Sequence, residues 1–191
     1  MNKVIYVYNE DIDLDIKENM EIYHLVTDKS VNVKLNLNNR GIEVNYYLSV
    51  INEQDNIASV YISHEASDTK SMVVCHGVNV LDKKLEFDIN GKAINEASNC
   101  VCSQENQIIN LQNGKGIIRP NLLIRNYDTV SNHSAYIGAF KENDLFYLMS
   151  RGINEKKAEE LLMESLLLGN FKRDEKIVEE FYLKLGEITN G

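Results

Sequence analysis

A two-residue rhythm, broken about every ten residues and almost never by a hairpin signal, constrains this chain more than any other feature. Val31, Val33, Leu35 and Leu37 alternate with Asn32, Lys34, Asn36 and Asn38. That is the pattern of a strand with one buried face. Further strand-like segments fall at 4–8, 21–26, 42–51, 58–63, 72–80, 85–89, 107–111, 117–124 and 129–140, with Asn, Asp and Gly between them. Such even spacing suits a sandwich, a barrel or a β-solenoid. Good hairpin signals occur at Asn90-Gly91 and Asn113-Gly114. Asn-rich punctuation such as Asn36-Leu37-Asn38-Asn39 suits the bends of a solenoid, where side-chain amides satisfy turning backbone. No strict short repeat is present, so pattern alone leaves all three architectures open.

After Phe140 the period becomes helical. Asn143 or Asp144 is placed to cap a helix through Leu145, Leu148 and Met149 that stops at Gly152. Asn154 is placed to cap a second helix, with Gly169 as its stop. Ala158, Leu161, Leu162, Ser165 and Leu166 mark its expected inner face. A third helix is expected from about Asp174, with an apolar stripe of Ile177, Val178, Phe181, Tyr182 and Leu185. These stripes suit a cover over the end of the strand domain, a docking surface for a partner, or both.

The chain has 191 residues, 43% of them hydrophobic, enough for one domain with a core or a domain plus a small appendage. Its 29 acids against 20 bases give a formal charge of −9. That excludes the basic stripe of a nucleic-acid binder and disfavours adhesion to an anionic membrane. Met1-Asn2-Lys3-Val4-Ile5-Tyr6-Val7 does not read as a signal peptide. No window approaches the roughly 18 apolar residues of a membrane span. Three cysteines, an odd number, read as free thiols in a reducing cytoplasm.

Four histidines and the cysteines are the chemical candidates. His24 lies in an apolar strand and reads as structural. His64 ends a strand beside Glu65. Cys75 and His76 are adjacent, so on a strand they face opposite ways and cannot share a metal directly. His133 shares a face with Ser131. Cys100 and Cys102 face the same way, as half of a soft-metal site or as two small buried hydrophobes. Zinc and ferredoxin cysteine spacings are absent, as are Walker A, dinucleotide and Gly-x-Ser-x-Gly signatures. The acids Asp11, Asp13 and Asp15 read as a solvated face.

Leu145-Phe146-Tyr147-Leu148 to Arg151-Gly152-Ile153, after Ser131-Asn132-His133-Ser134-Ala135, resembles the C-terminal region of the SufB/SufD family, scaffold subunits of SUF iron–sulfur assembly. Ser63-His64-Glu65 followed by Cys75-His76-Gly77-Val78 is similar to the family pattern. So are Leu85-Glu86-Phe87-Asp88-Ile89-Asn90-Gly91-Lys92-Ala93-Ile94, Cys102-Ser103-Gln104 with Gln107-Ile108-Ile109, and Pro120 before Asn121-Leu122-Leu123-Ile124. The likeness covers about residues 55–168. It implies a right-handed parallel β-helix over residues 1–141 and a C-terminal helical region over 142–191 that docks a SufC-type ABC ATPase. It also implies pairing through the β-helices, with a SufB-type subunit or with itself as a homodimer, on a free terminal coil.

Where SufB has its nucleophilic cysteine, this chain has about Glu105. Where SufB has Glu-His-Glu, it has Asn132-His133-Ser134. His133 and Ala135 match the SufD pattern, with Ser131 and Ser134 as departures. The resemblance is therefore to a short SufD-like member without the usual N-terminal region. It implies a non-enzymatic, cytoplasmic scaffold that carries a transient iron–sulfur cluster. His133 is the expected metal contact and Cys102 the substitute thiol. Leu145, Phe146, Tyr147, Arg151 and Gly152 are the expected partner-binding residues. The alternatives are a structural β-helix homo-oligomer without a cluster site and a β-helix carbohydrate-active enzyme.

Overall fold

The computed structural model describes residues 3–171 and 175–190. Its first eleven elements are strands: β1 (Lys3–Tyr8), β2 (Ile12–Ile16), β3 (Met20–Thr27), β4 (Val31–Leu37), β5 (Glu43–Asn52), β6 (Asn56–His64), β7 (Lys70–Asn79), β8 (Lys84–Ala93), β9 (Val101–Asn110), β10 (Lys115–Ile124) and β11 (Val130–Gly138). Consecutive strands never pair. The odd strands form one six-stranded sheet, ordered β1-β3-β5-β7-β9-β11, and the even strands one five-stranded sheet, ordered β10-β8-β6-β4-β2. Every ladder is parallel. The chain thus winds from one sheet to the other as a β-solenoid, which settles the choice the pattern left open.

Register explains the rhythm. Ile12, Val33, Val60 and Ile89 stack in one inward column, and Leu14, Leu35, Ile62 and Gly91 in the next. Val33, Leu35, Val60, Ile62 and Ile89 are fully or almost fully buried. Burying each such side chain stabilises the fold by about 1.5–3 kcal/mol. At the bends, Asn9, Asp28, Asp68, Asn99 and Gln112 take positive φ, a conformation Asn and Asp tolerate best among residues with a Cβ. Asn52, Asn79 and Asn110 form a ladder at one corner. Asn52 Nδ2 donates to Asn79 Oδ1 at 2.8 Å, and Asn79 Nδ2 to Asn110 Oδ1 at 3.3 Å.

Three expectations for the strands are corrected. Ile12–Ile16 is a full strand, its acids Asp13 and Asp15 being the outward half of the alternation. Asn90-Gly91 is no hairpin but lies within β8. A Cβ on Gly91 would sit 2.6 Å from Cys102 Sγ, so the glycine marks a close approach inside the coil. Strand β9 begins well before residue 107. Asn113-Gly114 does lie at a turn, but one that passes between sheets.

Three helices follow: α1 (Glu142–Ser150), α2 (Glu155–Leu168) and α3 (Glu175–Asn190). The N-cap of α1 is Lys141, without a side-chain cap bond, not Asn143 or Asp144. Gly152 ends α1 as expected. At φ +86° its N–H reaches Met149 O, and the N–H of Ile153 reaches Leu148 O. Asn154 caps α2, accepting from the Lys157 N–H at 2.9 Å. The buried face of α2 is Ala158, Met163 and Leu167, whereas Ser165 is exposed. Asp174 and the side chains of Ile177 and Leu185 lie outside the described residues.

The tail covers a flank rather than an end. Met163, Leu167 and Phe181 pack with Leu25, Ile51, Val78 and Ile109 on the outward face of the six-stranded sheet. Beside them Tyr6, Tyr23 and Tyr47 stack at 5.3 and 5.1 Å between centroids. Two sheet side chains bond the C-terminal carbonyls of α2. Ser49 donates to Leu167 O at 2.5 Å and His76 Nδ1 to Leu166 O at 2.8 Å. Lys184 of α3 pairs with Asp28 at 2.8 Å and with Glu53.

Gly91→Ala should lower unfolding stability by about 1–3 kcal/mol through overpacking against Cys102. Urea titration measures it, and an unchanged midpoint would show that the coil has room there.

Candidate functional site

Among the described residues strand β11 pairs only with β9, and β10 only with β8, so the last coil has an open edge in both sheets. Nearly all of β11 is exposed. Its register fixes what faces the interior. Cys102, Gln104, Asn106 and Ile108 are the buried inward residues of β9. Ser131, His133, Ala135 and Ile137 stand opposite them on β11. The structure therefore brings Cys102 and His133 to one face of neighbouring strands, two residues out of step. Strand spacing and rise put their Cα atoms about 8 Å apart.

The two differ sharply in setting. His133 is exposed, whereas Cys102 is completely buried. Burial pushes the Cys102 thiol up, against a smaller downward pull from the Ser71 hydroxyl, which keeps it in the protonated, poorly ligating form. Cys100 also faces inward, 3.3 Å from Thr69 Oγ1. Cys75 is buried in the main core, its thiol pushed up by desolvation. Glu105 lies on the opposite, outward face of β9, with its side chain half exposed. A thiol at 102 thus does not occupy the place that one at 105 would. Among the described residues no group of three or more His, Cys, Asp or Glu is placed to hold a metal ion.

Sequence reasoning missed Gln104 and Asn106. Both are 2% exposed, and each amide nitrogen donates to a carbonyl of the last coil: Gln104 Nε2 to Asn121 O at 3.2 Å, Asn106 Nδ2 to Ser134 O at 3.3 Å. Their carbonyl oxygens, buried, have no hydrogen-bond partner. The signal was present in the alternation that begins at Cys102, but polar inward residues do not read as a strand.

The other histidines are structural. His24 hydrogen-bonds the Tyr46 hydroxyl at 2.9 Å. His64 lies between Thr69 at 2.7 Å and Ser71 at 2.9 Å. Burial holds both at about 4. His76 faces away from Cys75 and toward α2, as adjacency on a strand requires.

A second candidate surface is α1, which has no buried residue. Phe146 is 73% and Tyr147 57% exposed, with Met149 beside them. The Arg151 guanidinium sits 5.0 Å over the Tyr147 ring, and its Nη2 donates to the hydroxyl at 3.3 Å. Leu145 turns inward to a cavity of about 350 Å³ that it lines with Val80, Leu111, Phe140 and Met163. Gly152 sets the turn into α2. Of the five expected partner-binding residues, Phe146 and Tyr147 thus present apolar surface while Leu145, Arg151 and Gly152 fix how it is presented.

Fold and surfaces together define a β-solenoid with an open polar end and an apolar helix on its flank. Residues 8–166 match the family model described as the SufBD core domain of SUF system FeS cluster assembly, and the chain belongs to the SufB/SufD family. It is 31% identical over 116 residues to the iron–sulfur cluster assembly protein SufD of Bacillus subtilis, covering 60% of this chain and 26% of that one. It is 50% identical over 36 residues to an iron–sulfur cluster assembly SufBD family protein of Pyrococcus horikoshii, covering 19% of this chain and 8% of that protein. The chain thus spans about a quarter, or less, of the length of these curated relatives.

The buried histidines set a pH profile. His24 and His64 protonate near 6.5 when unfolded and near 4 when folded. The unfolded chain binds more protons between those values, so stability falls as pH drops from about 6.5 to about 4, by about 3 kcal/mol for each. Urea unfolding across that range measures it. His64→Gln should remove about half of the decline, and a flat profile would mean these imidazoles are not held neutral.

Proposed function

We propose that this chain is a non-catalytic, SufD-like scaffold subunit of a cytoplasmic SUF assembly complex. The observation that carries the proposal is the unpaired last coil with His133 on its inward face, in a chain whose family is SufB/SufD. An open parallel edge invites another strand, and β10 and β11 are the surface offered to a SufB-type subunit or to a second copy. The nascent iron–sulfur cluster is cargo at that seam. His133 is its contact from this side, and the partner supplies thiolates. Cys102, on the same inward face but beneath Ser131, two residues out of step with His133, contributes only once its proton is lost. The curated relatives are proteins of iron–sulfur cluster assembly by name, which supports the same role here. Among the described residues no helix is long and apolar enough to cross a membrane.

The α1 face is the proposed dock for a SufC-type ABC ATPase. Exposed aromatic side chains beside an arginine have the chemistry of interface hot spots. Replacing Phe146 and Tyr147 together by Ala should weaken capture of the cognate SufC about 30-fold or more, from a loss of about 2 kcal/mol. Pull-down and titration calorimetry read it, and equal binding by wild type and variant would sink the assignment of this surface. His133→Ala should lower cluster yield in anaerobic reconstitution of the complex, read by visible absorption, with thermal stability unchanged. Equal yield would leave this subunit a structural partner without a cluster site.

A further inference from the structure

The end layer contains a residue whose chemistry is half used. Gln104 is buried under the last coil and anchored through Nε2 to the backbone carbonyl of Asn121 on β10 at 3.2 Å. A carbonyl only accepts, so the amide cannot be turned the other way, and Oε1 is the atom left over. That oxygen is buried without a donor. A buried acceptor in this state is costly unless a donor reaches it. The residue stacked on Gln104 in the ladder, one strand further out and on the same face, is His133. Its imidazole N–H is a donor of the required kind. Asn106, the next inward residue, has the same unpaired oxygen, but Ala135 stands above it and offers no side-chain donor.

We infer that Gln104 is a positioning residue for His133: Gln104 Oε1 accepts a hydrogen bond from one ring nitrogen of His133, fixes its tautomer and turns the other nitrogen toward the open end. This deepens the proposed function and rests on it for the use made of that free nitrogen. A neutral imidazole ligates through the nitrogen that carries no proton, and a partner on the other nitrogen decides which one that is. Gln104 would do for His133 what a carboxylate or carbonyl does behind a metal-bound histidine. The arrangement also accounts for a glutamine at the end of a column whose earlier members are Ile5, Ile22, Tyr46 and Val73. Gly91 leaves room for it, since a Cβ there would lie 3.1 Å from Gln104 Nε2.

The test is the tautomer itself. In the intact chain labelled with ¹⁵N-histidine, long-range ¹H–¹⁵N correlation separates the two neutral forms, and His133→Gln identifies the His133 signals. The expected result is one dominant tautomer in the wild type and averaging of the two ring nitrogens in Gln104→Met. The signals of His24, His64 and His76 report whether each variant is folded. A wild-type His133 that averages between tautomers overturns the inference without any variant. So does a Gln104→Met chain that folds and keeps the wild-type tautomer. Cluster reconstitution is a separate reading. A fixed tautomer with no effect of His133→Ala on yield would retain the Gln104–His133 pair and remove the ligand role, and the converse would do the reverse.

Discussion

In a parallel solenoid each interior side chain touches the residue above and the residue below in its own column, so one coil's error is felt by its neighbours. Everything else here depends on that stacking. Columns such as Ile12–Val33–Val60–Ile89 bury branched apolar side chains without a gap. Hydrogen-bonded ladders lock the register, and a slip of one residue would move each column to the solvent face. The corners must turn without breaking that register. Side-chain amides and positive-φ residues do this work, as the Asn52–Asn79–Asn110 ladder shows.

The same rule gives the end of the stack its chemistry. A column can afford a polar member only where a partner completes its hydrogen bonds, and the early coils use few. The inward face changes at β9, where Cys102, Gln104 and Asn106 replace the Ser71, Val73 and Cys75 of β7. Ser131 and His133 continue that change on β11. Polar groups gather where the stack stops because solvent, or another chain, can reach them there. Pro120 fits the same logic. It lies in β10, an edge strand, where a missing N–H breaks no further ladder.

Much of this was legible in the sequence, and what was not has physical causes. Alternation located β4 because its outward residues are polar and its inward ones apolar. It failed at β9, where both faces are polar, and at β2, where outward acids drew attention away from Ile12, Leu14 and Ile16. A strand with Asn-Gly inside it imitates a hairpin, since the dipeptide reports local freedom and not the close approach of Cys102 that requires Gly91. The helical caps at Asn154 and Gly152 were readable because they are local. The face of α2 was not, because the sheet chooses which side is buried. Family resemblance supplied His133, yet only register shows that His133 and Cys102 share a face and that Glu105 does not.

The tail and the core differ in how firmly they are joined. Met163, Leu167 and Phe181 are buried against the sheet, and each such side chain stabilises that contact by about 1.5–3 kcal/mol. The Ser49 and His76 bonds to the end of α2 add about 0.5–1.5 kcal/mol each. Displacing α2 would cost most of that sum, so α2 moves with the solenoid as one body. Helix α1 has no buried residue; apart from Leu145, which lines the cavity beside Met163, it is held by the Phe140–Lys141 link before it and the Gly152 turn after it. Force applied to Phe146 and Tyr147 is therefore taken up first at those two joints. It reaches the end layer directly through the short link from α1 to β11, and also through α2, by way of His76 and the Glu105 carboxylate 3.8 Å from it on β9. The strand that carries Glu105 outward carries Gln104 inward, so the outer surface and the polar end layer meet in two consecutive residues of one strand.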